Sequence, residues 1–286
     1  MNYTRTVTFR ISYLLSALLA LTTVARADDW APNLTMTATW HSNATLADES
    51  DDQLESLQLS ADMLASERYE FGRDDTLRLS GHLAGDWWPR YDALLRGAVG
   101  GRAELRHRFG PGPRAPAIAI EGAVDAVEAK ETGRRGTSTG VTASVRKRIN
   151  DLFRATAWYE VSWHLARLET YDAAASEGAI EIDYDFSKEM RLTFTARYRD
   201  GDVISYASGF RPDLEARAPN RLDVDTFDRE MTAYRIDAET WSGRLSLVRA
   251  LDTSSAILVA YERRETRRGP LRFPDHLLSV AMVHQF

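Results

Sequence analysis

The chain has no cysteine. In an oxidising compartment that removes disulfide staples, so stability has to come from burial and hydrogen bonding alone. Beyond the first residues there is no apolar run long enough to cross a bilayer as a helix, which takes roughly 20 residues, so a helical membrane protein is excluded. Mean hydropathy is −0.37. No glycine-rich loop follows a strand pattern and opens a helix, which leaves nucleotide binding without a cradle. The six histidines are scattered without ligand spacing, so no metal site and no cofactor is expected.

What the chain does have begins at its start. Arg5 and Arg10 precede an apolar stretch from Ile11 to Leu21, and Ala25-Arg26-Ala27 follows. That order of charged, apolar and small residues reads as a cleaved secretory signal over residues 1–27, leaving 28–286 as the folded domain. Losing Arg5, Arg10 and Arg26 removes no acid and leaves 33 basic against 42 acidic residues, a net charge of −9. Such a balance argues against nucleic acid as a partner.

Strict alternation runs through much of the remainder. In Thr76-Leu77-Arg78-Leu79-Ser80-Gly81-His82-Leu83 every second side chain is polar, and the same period recurs over Phe153–Trp163 and Met190–Arg199. Period two places one set on each face of a strand. Twelve such strands are expected, near 34–41, 54–64, 76–87, 91–109, 117–128, 138–149, 152–165, 177–186, 190–206, 231–248, 255–264 and 276–286. The second also admits a short amphipathic helix over Leu54–Met63. An even count, tight links at 150–151, 187–189 and 252–254, and long ones at 166–176, 207–230 and 265–275 fit an all-β fold, a closed antiparallel transmembrane β-barrel with both termini on one side. The links 65–75 and 110–116 are longer than that scheme wants. A soluble β-sandwich is the competing architecture.

The last strand carries a further signal. Leu278, Val280, Met282, His284 and Phe286 occupy alternate positions up to a terminal phenylalanine. This resembles the C-terminal signal of Gram-negative outer-membrane barrel proteins, with His284 departing from the usual aromatic or aliphatic residue. The resemblance implies a location in the outer membrane and recognition of that strand by the barrel assembly machinery.

Alternation also assigns the interior. Arg96, Arg102, Arg106 and Arg108 share the inner face of the fourth strand with Glu104, beside Glu121 and Asp125 on the fifth. Residues summing to 227 across that hairpin would set Arg106 against Glu121 and Arg102 against Asp125, an opposite-charge register. Glu181, Asp183 and Asp185 lie beside Arg191, Arg197 and Arg199, and Arg146, Arg148 and Arg154 also point inward. Arginine tracks attract anions, and their layout resembles that of small outer-membrane channels for acidic sugars. A narrow channel for small anionic solutes is therefore expected, with a lumen closed by its own ion pairs, and a structural or adhesive role, as the alternative.

Other motifs carry less. His41-Ser42-Asn43 approaches the His-x-Ser-Asn arrangement of outer-membrane lipid hydrolases, but adjacent strand residues face opposite ways, so an enzyme is not expected. Asp48-Glu49-Ser50-Asp51-Asp52 suits either a calcium ion or, more simply, an acidic surface loop. Arg134-Arg135 and Arg267-Arg268 fall in outer loops, where they would meet outer-membrane lipid and lipopolysaccharide or, equally well, stand as solvated loop charge.

Overall fold

A computed structural model of the chain describes residues 31–209 and 211–286; the proposed signal segment lies outside them. The strands are β1 (Ala31–His41), β2 (Ser56–Phe71), β3 (Asp75–Trp87), β4 (Arg96–Arg108), β5 (Ala117–Ala129), β6 (Gly136–Arg148), β7 (Phe153–Ala166), β8 (Ala173–Asp185), β9 (Met190–Ala207), β10 (Asn220–Val224), β11 (Met231–Ala250), β12 (Ser255–Arg268) and β13 (Leu271–Gln285). A single helical turn, α1 (Pro212–Glu215), precedes β10.

Twelve of these strands close on themselves. Each pairs antiparallel with its sequence neighbour, β9 pairs with β11, and β13 pairs with β1, so the ring has no free edge. Closure is what lets a sheet satisfy its backbone without water on either side. Short β10 is outside the ring; it pairs with Met231–Arg235 of β11, beyond the point where β12 ends.

Directly paired residues share a face, and the parity holds round the whole ring. Facing out are Val99, Ile120, Val141, Ile180, Leu245 and Val280, each about half-exposed. So continuous an apolar belt is far larger than a soluble monomer shows, and it excludes the sandwich. Trp40, Trp87, Trp163, Tyr198, Trp241 and Tyr261 face outward toward the loop end, and Phe109, Phe153, Phe186 and Phe286 sit near the end holding the termini. These are the two aromatic girdles of a membrane barrel.

Three expectations need correction. The second segment is a strand, as expected, but it runs from Ser56 to Phe71, so the long link expected at 65–75 shrinks to a turn at 72–74, with Gly72 at φ 74°. The expected outer loop 265–275 is mostly strand, and β12 and β13 meet at Gly269-Pro270. The β4–β5 register sums to 225, so Glu104 opposes Glu121 and Gly100 opposes Asp125. A slip of two keeps every side chain on its expected face, but it removes the proposed direct charge pairs.

Candidate channel lumen and its mouth

The sixteen charged residues placed inward by alternation all stand on one parity of the strand ladder, and they fall into tiers. Nearest the termini, β5 offers only Ala117 and Ala119 on its inner face, opposite Arg146 and Arg106 respectively. These small side chains leave room for guanidinium groups from both flanking strands. Arg106 pairs with Glu104 of its own strand at 3.0 Å, and Arg154 with Asp183 at 3.6 Å. Arg146 lies in the field of Arg106 and Arg154, opposed by that of Glu104 and Glu181, and among the described residues it has no ion pair. Arg191 and Asp185 close this tier at 2.5 Å.

In the middle, His82 bridges two carboxylates, Nε2 to Asp62 at 2.7 Å and Nδ1 to Asp125 at 2.8 Å. Arg102 reaches the same ring at 3.4 Å, while its Nε is buried without a partner. Glu181 accepts from Thr195 at 3.4 Å. Toward the loops, Arg96 bonds Asp86 at 2.5 Å, Arg199 donates to the carbonyl of Asp202 at 2.9 Å, and Arg197 lies over the Trp158 ring and 4.0 Å from Glu177. Sequence reasoning named neither His82 nor Glu177 among its interior set, although both stand at inward positions of the same alternation.

Three polar cavities occupy this interior. One of about 360 Å³ is walled by Arg102, Glu121, Asp125, Glu160 and Arg199. A second, about 320 Å³, shares Asp125 with it and reaches Asp62, His82 and Arg96. The third, about 300 Å³, shares Arg199 and extends to Glu177, Glu262 and Arg264. All three have charged residues in their walls.

The loop end is capped. Tyr91, Tyr171, Tyr206, Phe227, Met231 and Ala233 form one buried apolar cluster, with Leu54, Trp88, Leu94 and Leu222 packed against it. A second joins Leu214 of α1 to Tyr234, Ile236, Leu271 and Phe273. Loops 42–55, 88–95, 167–172 and 208–230 thus meet over the opening. Arg134, read from sequence as a lipid-facing loop charge, instead bolts this cap. Its Nε donates to Glu131 at 2.8 Å, its Nη2 to the Tyr206 hydroxyl, and its guanidinium stacks on Tyr171 at 4.6 Å. Glu131 also accepts from the hydroxyls of Tyr171 and Thr226. Burial opposes the charge on Arg134, but Tyr206, Glu131 and Tyr171 more than offset it and hold the guanidinium above its ordinary range.

Two further latches act on loop 42–55. Arg211 forks onto Asp48 (2.9 and 3.2 Å) and reaches Asp213 at 2.7 Å and Glu49 at 2.9 Å. Buried Asp52 accepts from Arg229 Nη2 at 2.9 Å and from the Ser208 amide at 2.7 Å. Asp48 and Asp52, candidates for a calcium ion, are thus engaged by arginines. The hydrolase arrangement fails on geometry as well. Ser42 Oγ donates to Asp275 at 3.1 Å, whereas the His41 ring lies against Asp275 at 3.2 Å and Gln58 at 3.1 Å, so the imidazole does not bond to the serine.

With a closed ring of twelve strands, an apolar exterior and a charged interior in hand, comparison with solved structures is informative. An outer membrane channel from Pseudomonas putida F1 superposes with a TM-score of 0.62 at 9% identity, over 90% of this chain and 95% of that one. The fold is that of an outer-membrane barrel. The NanC porin (TM-score 0.47, 5% identity, 88% and 100% of the two chains) and the KdgM porin in complex with disordered oligogalacturonate (0.45, 10%, 89% and 99%) also match. No family model matches the chain, and no curated protein matches it in sequence.

Proposed function

We propose that the barrel resides in the outer membrane of a Gram-negative bacterium, exported through its N-terminal signal and inserted by the barrel assembly machinery reading the strand that ends at Phe286. There it passes small anionic solutes through a narrow lumen. The observation that carries the reading is the arginine cluster at the termini end, where Arg106 and Arg154 are ion-paired with Glu104 and Asp183 while Arg146, which feels Glu104 and Glu181 only at a distance, has no ion pair among the described residues. A cation left unpaired in a confined space raises the local concentration of mobile anions. Structural ion pairs alone give no reason to leave it so. The other lumen arginines, Arg96, Arg102, Arg191, Arg197 and Arg199, line the path with Glu121, Asp125, Glu181 and Asp183 as counter-charges that keep the passage weakly binding. A closed barrel without transport is the second reading, favoured by the cap over the mouth.

Planar-bilayer recording of refolded protein under a salt gradient separates the two. Wild type should show a reversal potential displaced toward that of the anion, and Arg106→Ala/Arg146→Ala/Arg154→Ala should bring it toward zero. Folded protein that never conducts supports the closed barrel, and an unchanged reversal potential in the triple variant removes the cluster from the selectivity mechanism.

A further inference from the structure

The outward face of the β12–β13 hairpin breaks the pattern of the rest of the belt. Along β12 the outward residues run Ile257, Val259, Tyr261, then Arg263, Glu265 and Arg267; along β13 they run Val280, Leu278, His276, Pro274 and Arg272. Apolar residues give way to an aromatic, and the aromatic gives way to charge. Tyr261 and His276 share a hydrogen bond of 2.8 Å on the outside of the wall, which fixes the height of the interface there. A hydrocarbon band takes about 10 residues of tilted strand, so the charges that follow Tyr261 stand at the level of lipid headgroups.

Those charges are unbalanced. Arg267 lies 3.0 Å from Glu265, Arg263 3.7 Å and Arg272 4.0 Å, so three guanidiniums share one carboxylate. Glu265 is 19% exposed, whereas Arg263, Arg267 and Arg272 are 64%, 50% and 68% exposed. A guanidinium has five N–H donors, so a single shared carboxylate leaves most of them unused. Other outward positions near the rim carry acids, among them Glu128, Asp200 and Glu239. The neighbouring Arg268, which the sequence offered together with Arg267, is instead tied to Asp237 at 3.1 Å.

We propose that Arg263, Arg267 and Arg272 form a docking site for the phosphate groups of outer-leaflet lipid, the phosphorylated glucosamine headgroup of lipopolysaccharide, with its acyl chains lying on Val259, Tyr261, Leu278 and Val280. The guanidinium fork matches phosphate bidentately, and a site joining several arginines to an apolar floor suits an amphiphile better than a free ion. The inference rests on the membrane location proposed above and is independent of transport.

The test is native mass spectrometry of the refolded, detergent-held barrel titrated with bis-phosphorylated lipid A. Arg263→Gln/Arg267→Gln/Arg272→Gln should lower the bound fraction about tenfold. Arg249→Gln, an outward arginine near the other end of the wall, should leave it unchanged. Lipid A stripped of phosphate should bind wild type as weakly as the triple variant. Equal binding of lipid A by wild type and triple variant overturns the proposal, as does displacement by equimolar inorganic phosphate, which would mark a simple anion site. Failure of refolded wild type to insert into vesicles would instead count against the membrane location.

Discussion

Replacing Arg134 by glutamine should unlock the mouth without unfolding the wall. The variant loses the charge-assisted bond to Glu131 at 2.8 Å and the stacked contact with Tyr171. It also leaves the Glu131 carboxylate with only the hydroxyls of Tyr171 and Thr226. Breaking a buried pair by removing one partner costs about 3–5 kcal/mol. Because the Arg134 side chain keeps 23% exposure, water recovers part of that, and about 2–3 kcal/mol is the better expectation. At about 1.4 kcal/mol per decade, the ratio of open to closed mouth rises about 30- to 150-fold. A mouth open about 1% of the time would then be open for about a quarter to somewhat over half of it.

Single-channel recording reads this directly as open probability, with unitary conductance unchanged because the lumen is untouched. Arg134→Lys keeps the charge but loses the planar fork and the stacking, so it should fall between wild type and glutamine. A folded Arg134→Gln protein, verified by its heat-dependent gel mobility, with an open probability equal to wild type would refute the assignment of this network as the closing bolt.

The second latch predicts a pH response. The hydrogen bond from Arg211 holds the Asp213 carboxyl below its ordinary range, so its contribution is complete above the unfolded-state value and is lost only as pH falls through the lower folded one. Open probability should thus stay flat from pH 7 to about pH 5 and rise only below about pH 4; a rise between pH 7 and 5 would contradict the latch. A Cβ placed on Gly100 would collide with the carbonyl oxygen of Val124 and with Asp125, so Gly100→Ala should cost about 1–3 kcal/mol by forcing β4 and β5 apart. At Gly97 the nearest atom is the Ala84 carbonyl at 3.6 Å, so Gly97→Ala should keep the wild-type unfolding temperature, and equal losses at the two positions would disprove the close approach.

The wall was legible in the sequence because each strand advertises two environments at once. Where Leu77 and Leu79 alternate with Arg78 and Ser80, period two has a single interpretation, and even the wrong β4–β5 register left Arg102, Arg106, Glu121 and Asp125 on the correct face. Legibility failed where the two environments become alike. Above the aromatic girdle of β12, the run Arg263–Arg268 has water or headgroups on one side and lumen on the other, so both faces are polar and the strand reads as a loop. The same holds at the other end of β2, where Glu67-Arg68-Tyr69-Glu70 carries no contrast. The cap was invisible for another reason: Tyr91, Tyr171, Leu214 and Phe227 are spread over three separate connections, and no local period relates residues that meet only in three dimensions.

That difference in legibility reflects a difference in energetics. The wall is held by a ring of backbone hydrogen bonds in which every strand has two partners, so opening any pair exposes unpaired amides to hydrocarbon at several kcal/mol each. The cap is held by two apolar clusters and three arginine latches, on Glu131, on Asp48 and Asp213, and on Asp52, all formed between loops whose ends are anchored in the wall. Loops can therefore lose their mutual contacts while every ladder bond below them persists, and the cost is set by the latches and by the few side chains that leave the clusters. A conformational change confined to the weaker of two independently stabilised layers is how subglobal opening is expected to proceed. Because the charged cavities are enclosed by the stronger layer, solute selectivity and mouth opening should respond to different substitutions, Arg146 altering the first and Arg134 the second.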